Sequence, residues 1–146
     1  MKVMADSEMI TLATVDDAES IASSERVLLP VLASAGLTKN WLSYCVKEGF
    51  YQVTDIQLNG VPMYRFFWHI NDQKFVEINC SLQLGHSDKF LWAIGADMLA
   101  RKVGARGIGC VTKRRGMVQR CVMEDGWKIV GMRLEKVIYE PAGAKV

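Results

Sequence analysis

Residues 74–84 read KFVEINCSLQL, and the period of this stretch decides the fold. Val76, Ile78, Cys80, Leu82 and Leu84 alternate with Glu77, Asn79, Ser81 and Gln83. Alternation with a period of two predicts a strand that presents an apolar set to one face and a polar set to the other. Gly85-His86-Ser87 then makes a turn, and Ser87 can accept from the first free amides of a helix over residues 88–103. Leu91, Ile94, Met98 and Leu99 give that helix a core-facing stripe, and Gly104 ends it. Residues 107–112 read as a short buried strand. A strand that returns after a helix implies a parallel neighbour.

Upstream, Asn59-Gly60 separates two runs rich in β-formers, Phe50 to Leu58 and Val61 to Ile70. This dipeptide favours the tight turn of a β-hairpin. Asn71-Asp72 turns the chain again, so three antiparallel strands follow one another. Tyr64, Phe66, Phe67 and Trp68 point to both faces of the hairpin, and a face left without cover would be a surface for a protein partner. Further back, a short strand over Ile10 to Ala13 leads into Thr14-Val15-Asp16-Asp17, which reads as a capping box for a helix to about Arg26. The apolar run from Leu28 to Leu37 is interrupted by Pro30 and Gly36 and reads as a helix end or a packed turn. Thr38 is the expected cap of a second helix, which carries Trp41, Leu42, Cys45 and Val46 on one face and ends at Gly49. Downstream, a helix over 114–124 stops at Gly126, residues 127–138 supply one or two strands, and the chain from Pro141 is a tail. The order β, α, α, β, β, β, α, β, α, β defines an α+β fold with a mixed sheet.

A chain of 146 residues, half of them hydrophobic and 23% charged, with three prolines, builds one domain with a real core. Disorder, collagen and coiled coil are excluded. The net charge of +2 is too small for a global nucleic-acid footprint, and nucleic acid is not an expected partner. The distribution is uneven. Asp6, Glu8, Asp16, Asp17, Glu19 and Glu25 make the first quarter acidic, while Arg101, Lys102, Arg106, Lys113, Arg114, Arg115 and Arg120 form a basic run free of acidic residues. Cys45, Cys80, Cys110 and Cys121 contain no CxxC pair and read as reduced thiols of a cytoplasmic protein. The opening MKVMADSEM carries charges where a secretory signal needs an apolar stretch. The longest apolar run, Val27 to Leu37, is too broken to cross a bilayer.

In element order and length the chain resembles the GNAT superfamily of acyl-CoA-dependent N-acyltransferases. Phe75-Val76-Glu77-Ile78 is similar to the start of that family's central strand. Cys121-Val122-Met123-Glu124-Asp125-Gly126-Trp127, followed by Met132 to Lys136, is similar to its ending, where a helix runs into Gly-Phe and a last strand carries a Lys. The resemblance implies a mostly antiparallel sheet with helices on both faces, and acetyl-CoA as cofactor. It implies Glu77 as general base toward a primary amine, and a cofactor cradle of Cys80, Leu82, Gly85, His86, Ser87 and Lys89. Three departures stand out. The family's Gln/Arg-x-x-Gly-x-Gly/Ala segment is replaced by Gly85 to Trp92, with no second glycine until Gly95; Val122 occupies the place of the family's acidic tyrosine; and Arg115 replaces a frequent asparagine. Short relatives lacking these signatures, some encoded by bacteriophages, serve as virion components or bind host proteins. That is the alternative reading: a silent domain binding a protein partner through the aromatic hairpin or the basic last helix.

Acyl transfer to an amine needs a base, donors for the oxyanion and a proton for the departing thiolate. Glu77 is the base if its surroundings exclude water, and otherwise a solvated carboxylate on a polar strand face. Asn79, Ser81 and Gln83 either line a cleft beneath it or share that solvated face. Gly85, His86, Ser87 and Lys89 are an anion site at a helix N-terminus or a plain capped turn. The resemblance places Lys113, Arg114, Arg115 and Arg120 toward the cofactor's pantetheine and 3′-phosphate; they could equally contact nucleic-acid phosphates or an acidic partner, or form a solvated basic face. Cys121 can donate a proton or pack the core. His69 and His86 are not spaced with carboxylates or cysteines as metal ligands, and no hydrolase triad has local support.

Overall fold

The computed structural model of the chain comprises strands β1 (Lys2–Ala5) and β2 (Glu8–Thr14), helices α1 (Ala18–Ser34) and α2 (Trp41–Lys47), and strands β3 (Gln52–Leu58), β4 (Val61–Ile70) and β5 (Phe75–Gln83). Helix α3 (Leu91–Val103), strand β6 (Gly107–Cys110), helix α4 (Arg115–Glu124) and strands β7 (Lys128–Val130) and β8 (Arg133–Val137) follow. The structure describes residues 2–5, 8–34, 36–111, 115–130 and 133–138, with the backbone alone for 2–5, 34, 115, 116, 118, 129, 130 and 133. Lys113, Arg114, Thr112 and the tail from Pro141 lie outside the described residues. Among the described residues eight strands form one sheet in the order β1-β2-β3-β4-β5-β6-β8-β7, antiparallel except for the β5/β6 pair. The α+β order expected from the sequence is present. A strand is added at the start, and the closing run is divided into β7 and β8.

Helices cover both faces of this sheet. On one face α3 packs Leu91, Trp92, Ala96, Met98 and Leu99 against Ile10, Ile56, Phe66, Trp68, Val76, Ile78 and Ile108. On the other, Ile21, Leu28 and Leu32 of α1 and Leu42 of α2 pack against Val53 and Phe67. Gly95 sets the approach of α3: a Cβ there would lie 2.6 Å from Cγ1 of the buried Ile56. Its place in the chain is therefore explained by packing. The β3/β4 hairpin turns on Asn59 (φ 53°) and Gly60 (φ 81°), the two positive φ angles that a type I′ turn requires. Phe66 and Phe67 are completely buried and Trp68 nearly so, with Trp68 Nε1 donating to Thr54 Oγ1 at 2.9 Å. The hairpin aromatics thus pack into the two cores rather than forming an uncovered face.

The alternation of β5 does not run its full length. Phe67 pairs with Cys80 and Trp68 with Ile78, so Asn79 has no partner in β4 and forms a bulge. The extra residue inverts the faces beyond it. Val76 and Ile78 enter the α3 core, whereas Cys80 and Leu82 pack with the α1/α2 core. Ser81 accordingly turns to α3 and accepts from Trp92 Nε1 at 3.1 Å. The expected polar row Glu77-Asn79-Ser81-Gln83 is thus split between two faces.

Helix boundaries show three further corrections. Thr14 is the last residue of β2, and Asp17 caps α1, its Oδ2 accepting from the Ser20 amide at 2.9 Å. Hydrogen bonds from Ser20 hold the Asp17 carboxyl below the usual carboxylate range. Helix α1 continues through Pro30 to Ser34, because Pro30 lies on the exposed side while Leu28 and Leu32, one turn apart, are buried. Helix α2 takes no side-chain cap from Thr38, whose carbonyl accepts from Trp41 N. Instead the buried Glu25 of α1 reaches across: its Oε2 accepts from Leu42 N at 2.7 Å and Ser43 N at 3.2 Å, and its Oε1 from Ser43 Oγ at 2.9 Å. A carboxylate there satisfies two amides and meets the positive end of the helix dipole.

Arg65 of β4 ties α1 to the sheet in a comparable way. Its Nε and Nη2 donate to Asp55 Oδ1 and Oδ2 at 2.7 and 2.9 Å, and its Nη1 donates to Ser24 Oγ at 2.9 Å. Replacing Glu25 with alanine strands buried amides and is expected to lower unfolding stability by about 2–3 kcal/mol in chemical denaturation. Glu25→Gln, which keeps an acceptor, is expected to lose less; equal stability of Glu25→Ala and the parent protein would contradict this cap.

Candidate functional site

Strand β6 accompanies β5 only from Phe75 to Ile78, pairing through Gly107–Cys110. Strand β5 continues to Gln83, and among the described residues no strand pairs with that edge beyond Ile78. The turn into α3 begins at its end. Gly85 N donates to Met63 O at 3.3 Å, and a Cβ on Gly85 would lie 2.8 Å from Met63 Sδ. Gln83 Nε2 lies 2.9 Å from Gly85 O and 3.2 Å from His86 Nδ1.

Ser87 does not cap α3, contrary to expectation. Its Oγ accepts from Lys89 N at 3.1 Å, and the helix starts at Leu91 rather than at Asp88. Phe90 occupies the N-cap position and supplies no side-chain acceptor. The short local bond forms because a serine hydroxyl readily serves an amide two residues on. Helix α3 therefore opens with amides that no side chain caps, at the end of a strand edge that no described strand covers. Two cations border this point. Lys89 Nζ lies 2.7 Å from Glu8 Oε2, and the Arg120 guanidinium lies 4.1 Å from the Phe90 ring centroid while its Nε donates to Glu124 Oε2 at 2.9 Å. Behind them Trp92 packs against Phe66 and Trp127, at 5.6 and 5.5 Å between ring centroids.

Of the residues singled out in the sequence, Gly85, His86, Ser87 and Lys89 come together in this turn. Cys80 and Leu82 turn their side chains to the opposite face. Glu77 is on that opposite face too, since it alternates with Val76 and Ile78. It stands directly across from His69 in the β4/β5 ladder, and its Oε1 lies 3.4 Å from Asn71 Nδ2. The bulged Asn79 places Oδ1 2.7 Å from His69 Nδ1, and Tyr51 stacks on the His69 ring with centroids 5.9 Å apart. Burial pushes the Tyr51 phenol above its ordinary value. His69 and Tyr51 were not singled out by spacing in the chain. The signal that finds His69 is the turn at Asn71: pairing outward from it sets Ile70 opposite Val76 and His69 opposite Glu77.

The end of α4 is bound into the core. Cys121 is completely buried, and burial, then Asp125, pushes its thiol up to about 12, so its position is one of packing rather than of access. Lys136 Nζ lies 2.9 Å from Asp97 Oδ2 and 3.2 Å from Asp125 Oδ2, and Asp125 Oδ2 also accepts from Trp127 Nε1 at 2.9 Å. Burial lowers the Lys136 value, but the two carboxylates outweigh it and hold the ammonium above its ordinary range. Gly107 makes room for β8, because a Cβ there would run into the carbonyl oxygen of Lys136.

No protein-family model matches this sequence, and a search of curated proteins finds no significant match. Solved structures do match. One is yncA of Salmonella typhimurium, solved with its cofactor acetyl-CoA, at 17% identity and TM-score 0.60, covering 91% of this chain and 96% of that one. A GNAT-family acetyltransferase of Listeria monocytogenes matches at 12% identity and TM-score 0.64, covering 94% and 100%. A GNAT-family acetyltransferase of Brucella melitensis in complex with acetyl-CoA matches at 13% identity and TM-score 0.59, covering 90% and 89%. The chain has the fold of the GNAT acetyltransferases, as the element order led us to expect. Among the described residues no helix is long and apolar enough to cross a membrane.

Two thiols of this region titrate far from the ordinary 9.0: burial pushes Cys80 up to about 11 and Cys121 to about 12. The folded state holds these protons more tightly than the unfolded chain. Their contribution to stability is therefore complete below pH 9 and is lost as pH rises through 11 to 12. At pH 8 the Cys80 thiolate fraction is depressed roughly 100-fold, so iodoacetamide should label Cys80 and Cys121 of the folded protein far more slowly than after denaturation. Mass-spectrometric labelling rates check this, and equal rates in the two states would contradict it.

Proposed function

We propose that this chain is an N-acyltransferase that moves an acetyl or other acyl group from an acyl-CoA to a primary amine. The observation that carries the reading is the N-terminus of α3, left without a side-chain cap where β5 outruns β6. Amides at a helix N-terminus, together with the helix dipole, are a ready seat for a pyrophosphate. The residues present fit such a group in this respect. Ser87 bonds within its own turn instead of occupying the amides, and Gly85 carries no side chain beside Met63. Lys89 and Arg120 border the same point and can exchange their carboxylate partners for phosphate oxygens. The solved neighbours with acetyl-CoA support the same reading at the level of the fold.

When bound, the acyl-CoA supplies an activated thioester carbonyl. The chain supplies the rest. The turn from Gly85 to Phe90 orients the cofactor, and the edge of β5 from Asn79 to Gln83 offers backbone groups along which an extended amide arm can lie. Cys80 and Leu82 contribute through that backbone rather than through their side chains. Glu77, on the far face near the bulge, is the carboxylate that assists removal of the proton of the acceptor ammonium, without which the nitrogen has no lone pair to attack. The acceptor reaches it from the α1/α2 side.

Titration calorimetry with acetyl-CoA is expected to give micromolar binding. Phe90→Asp places a carboxylate at the N-cap, satisfies the α3 amides and repels phosphate; binding should weaken at least tenfold, or by about 1.4 kcal/mol. Glu77→Gln should leave acetyl-CoA binding intact and slow transfer to amines on the order of 100-fold. Absence of heat at millimolar acetyl-CoA overturns this function.

A further inference from the structure

The polar cluster opposite α3 contains a second group able to take a proton. His69 is half-buried and held on two sides: Asn79 Oδ1 lies 2.7 Å from Nδ1, and the Tyr51 ring stacks on it at 5.9 Å with planes 16° apart. A carboxamide oxygen only accepts, so Nδ1 of His69 carries the ring proton, and in the neutral imidazole the lone pair sits on Nε2. Glu77 stands directly across the ladder, at the separation where facing side chains interact. A fixed ring, one defined tautomer and an anion beside it are what a histidine base needs, because the base must present a lone pair and then tolerate a positive charge. The bulge creates this arrangement. Asn79 has no partner in β4, and its side chain is aimed at the imidazole.

We propose that His69 is the proton acceptor for the amine substrate and that Glu77 holds the imidazolium it becomes. This rests on the acyl-transfer reading. Nε2 takes one proton from the ammonium of a primary amine, and the neutral nitrogen bonds to the acyl carbon while the carbon–sulfur bond breaks. The second nitrogen-bound proton passes to the departing sulfur. Ammonium and thioester thus become amide and thiol, with one proton left on His69 for release to solvent. Asn79 is a positioning residue that sets the tautomer.

Two measurements test this. The first needs neither cofactor nor activity: long-range 1H–15N spectra of the protein at alkaline pH, with His86→Gln leaving His69 as the one imidazole. The Nδ1–H tautomer is expected, and Asn79→Leu should shift it toward a mixture; an Nε2–H ring in the parent protein overturns the role whatever the catalytic behaviour. The second is turnover with acetyl-CoA and short primary amines such as n-butylamine. His69→Gln should lose about 100-fold in kcat at unchanged acetyl-CoA affinity, and His69→Ala should regain turnover with added imidazole. Full kcat in His69→Gln overturns the proposal while leaving acyl transfer standing. A parent protein that binds no acetyl-CoA removes the acyl-transfer reading, and this role with it.

Discussion

Between the Trp68/Ile78 and Phe67/Cys80 pairs, β5 carries one residue more than β4. A strand buried on both faces cannot absorb that residue by fraying, because every side chain beyond it must exchange the core it packs into. The chain satisfies this by changing composition at the same point. Val76 and Ile78 precede the bulge and fill the α3 side, and Cys80 and Leu82 follow it and fill the α1/α2 side. The polar residues interleaved with them change sides as well. Ser81 is thereby delivered to Trp92, on the face opposite Glu77 and His69. Strand β6 stops one residue before the bulge, so the sheet loses its parallel neighbour where the side chains invert.

The apolar layers on either side of the sheet are held in place by a few directional polar contacts. Hydrophobic burial fixes how much area is covered but leaves the sliding of a helix weakly determined. Arg65 pins α1 through Asp55 and Ser24, Glu25 pins α2 to α1, and Lys136 joins α3 to the end of α4 through Asp97 and Asp125. Each is buried or half-buried, where removing one partner is far more damaging than replacing both with apolar groups. The two halves of the candidate site sit on elements positioned this way. Helix α3 presents its amides toward one end of β5, while the α1/α2 layer frames the face carrying Glu77 and His69.

Much of the fold was legible along the chain. The Asn59-Gly60 hairpin, the period of residues 74–84 and the glycines closing α2, α3 and α4 are local signals whose physics acts within a few residues. The same locality explains what was hidden. Glu25 caps a helix 17 positions away, and nothing near Thr38 reveals that a buried carboxylate has taken its place. A bulge leaves the alternation of residue types undisturbed, since Cys80 and Leu82 are apolar whichever core receives them. For the site, the turn from Gly85 to Lys89 was legible because it is contiguous. The pairing of His69 with Glu77 arises from register across a turn, and Asn79 reaches the imidazole only because the strand is irregular there.

The Glu25 cap also bears on the order in which the chain can assemble. Helix α2 spans seven residues, too few to persist alone in water. Its first amides depend on a side chain that is in position only once α1 lies against it. During synthesis α1 leaves the ribosome earlier, so the acceptor is waiting when α2 emerges, and the pair can dock as a unit before the sheet beneath them is complete. A circular permutant opened between Ser34 and Trp41 would reverse that sequence, sending α2 out first with its capping partner still unsynthesised.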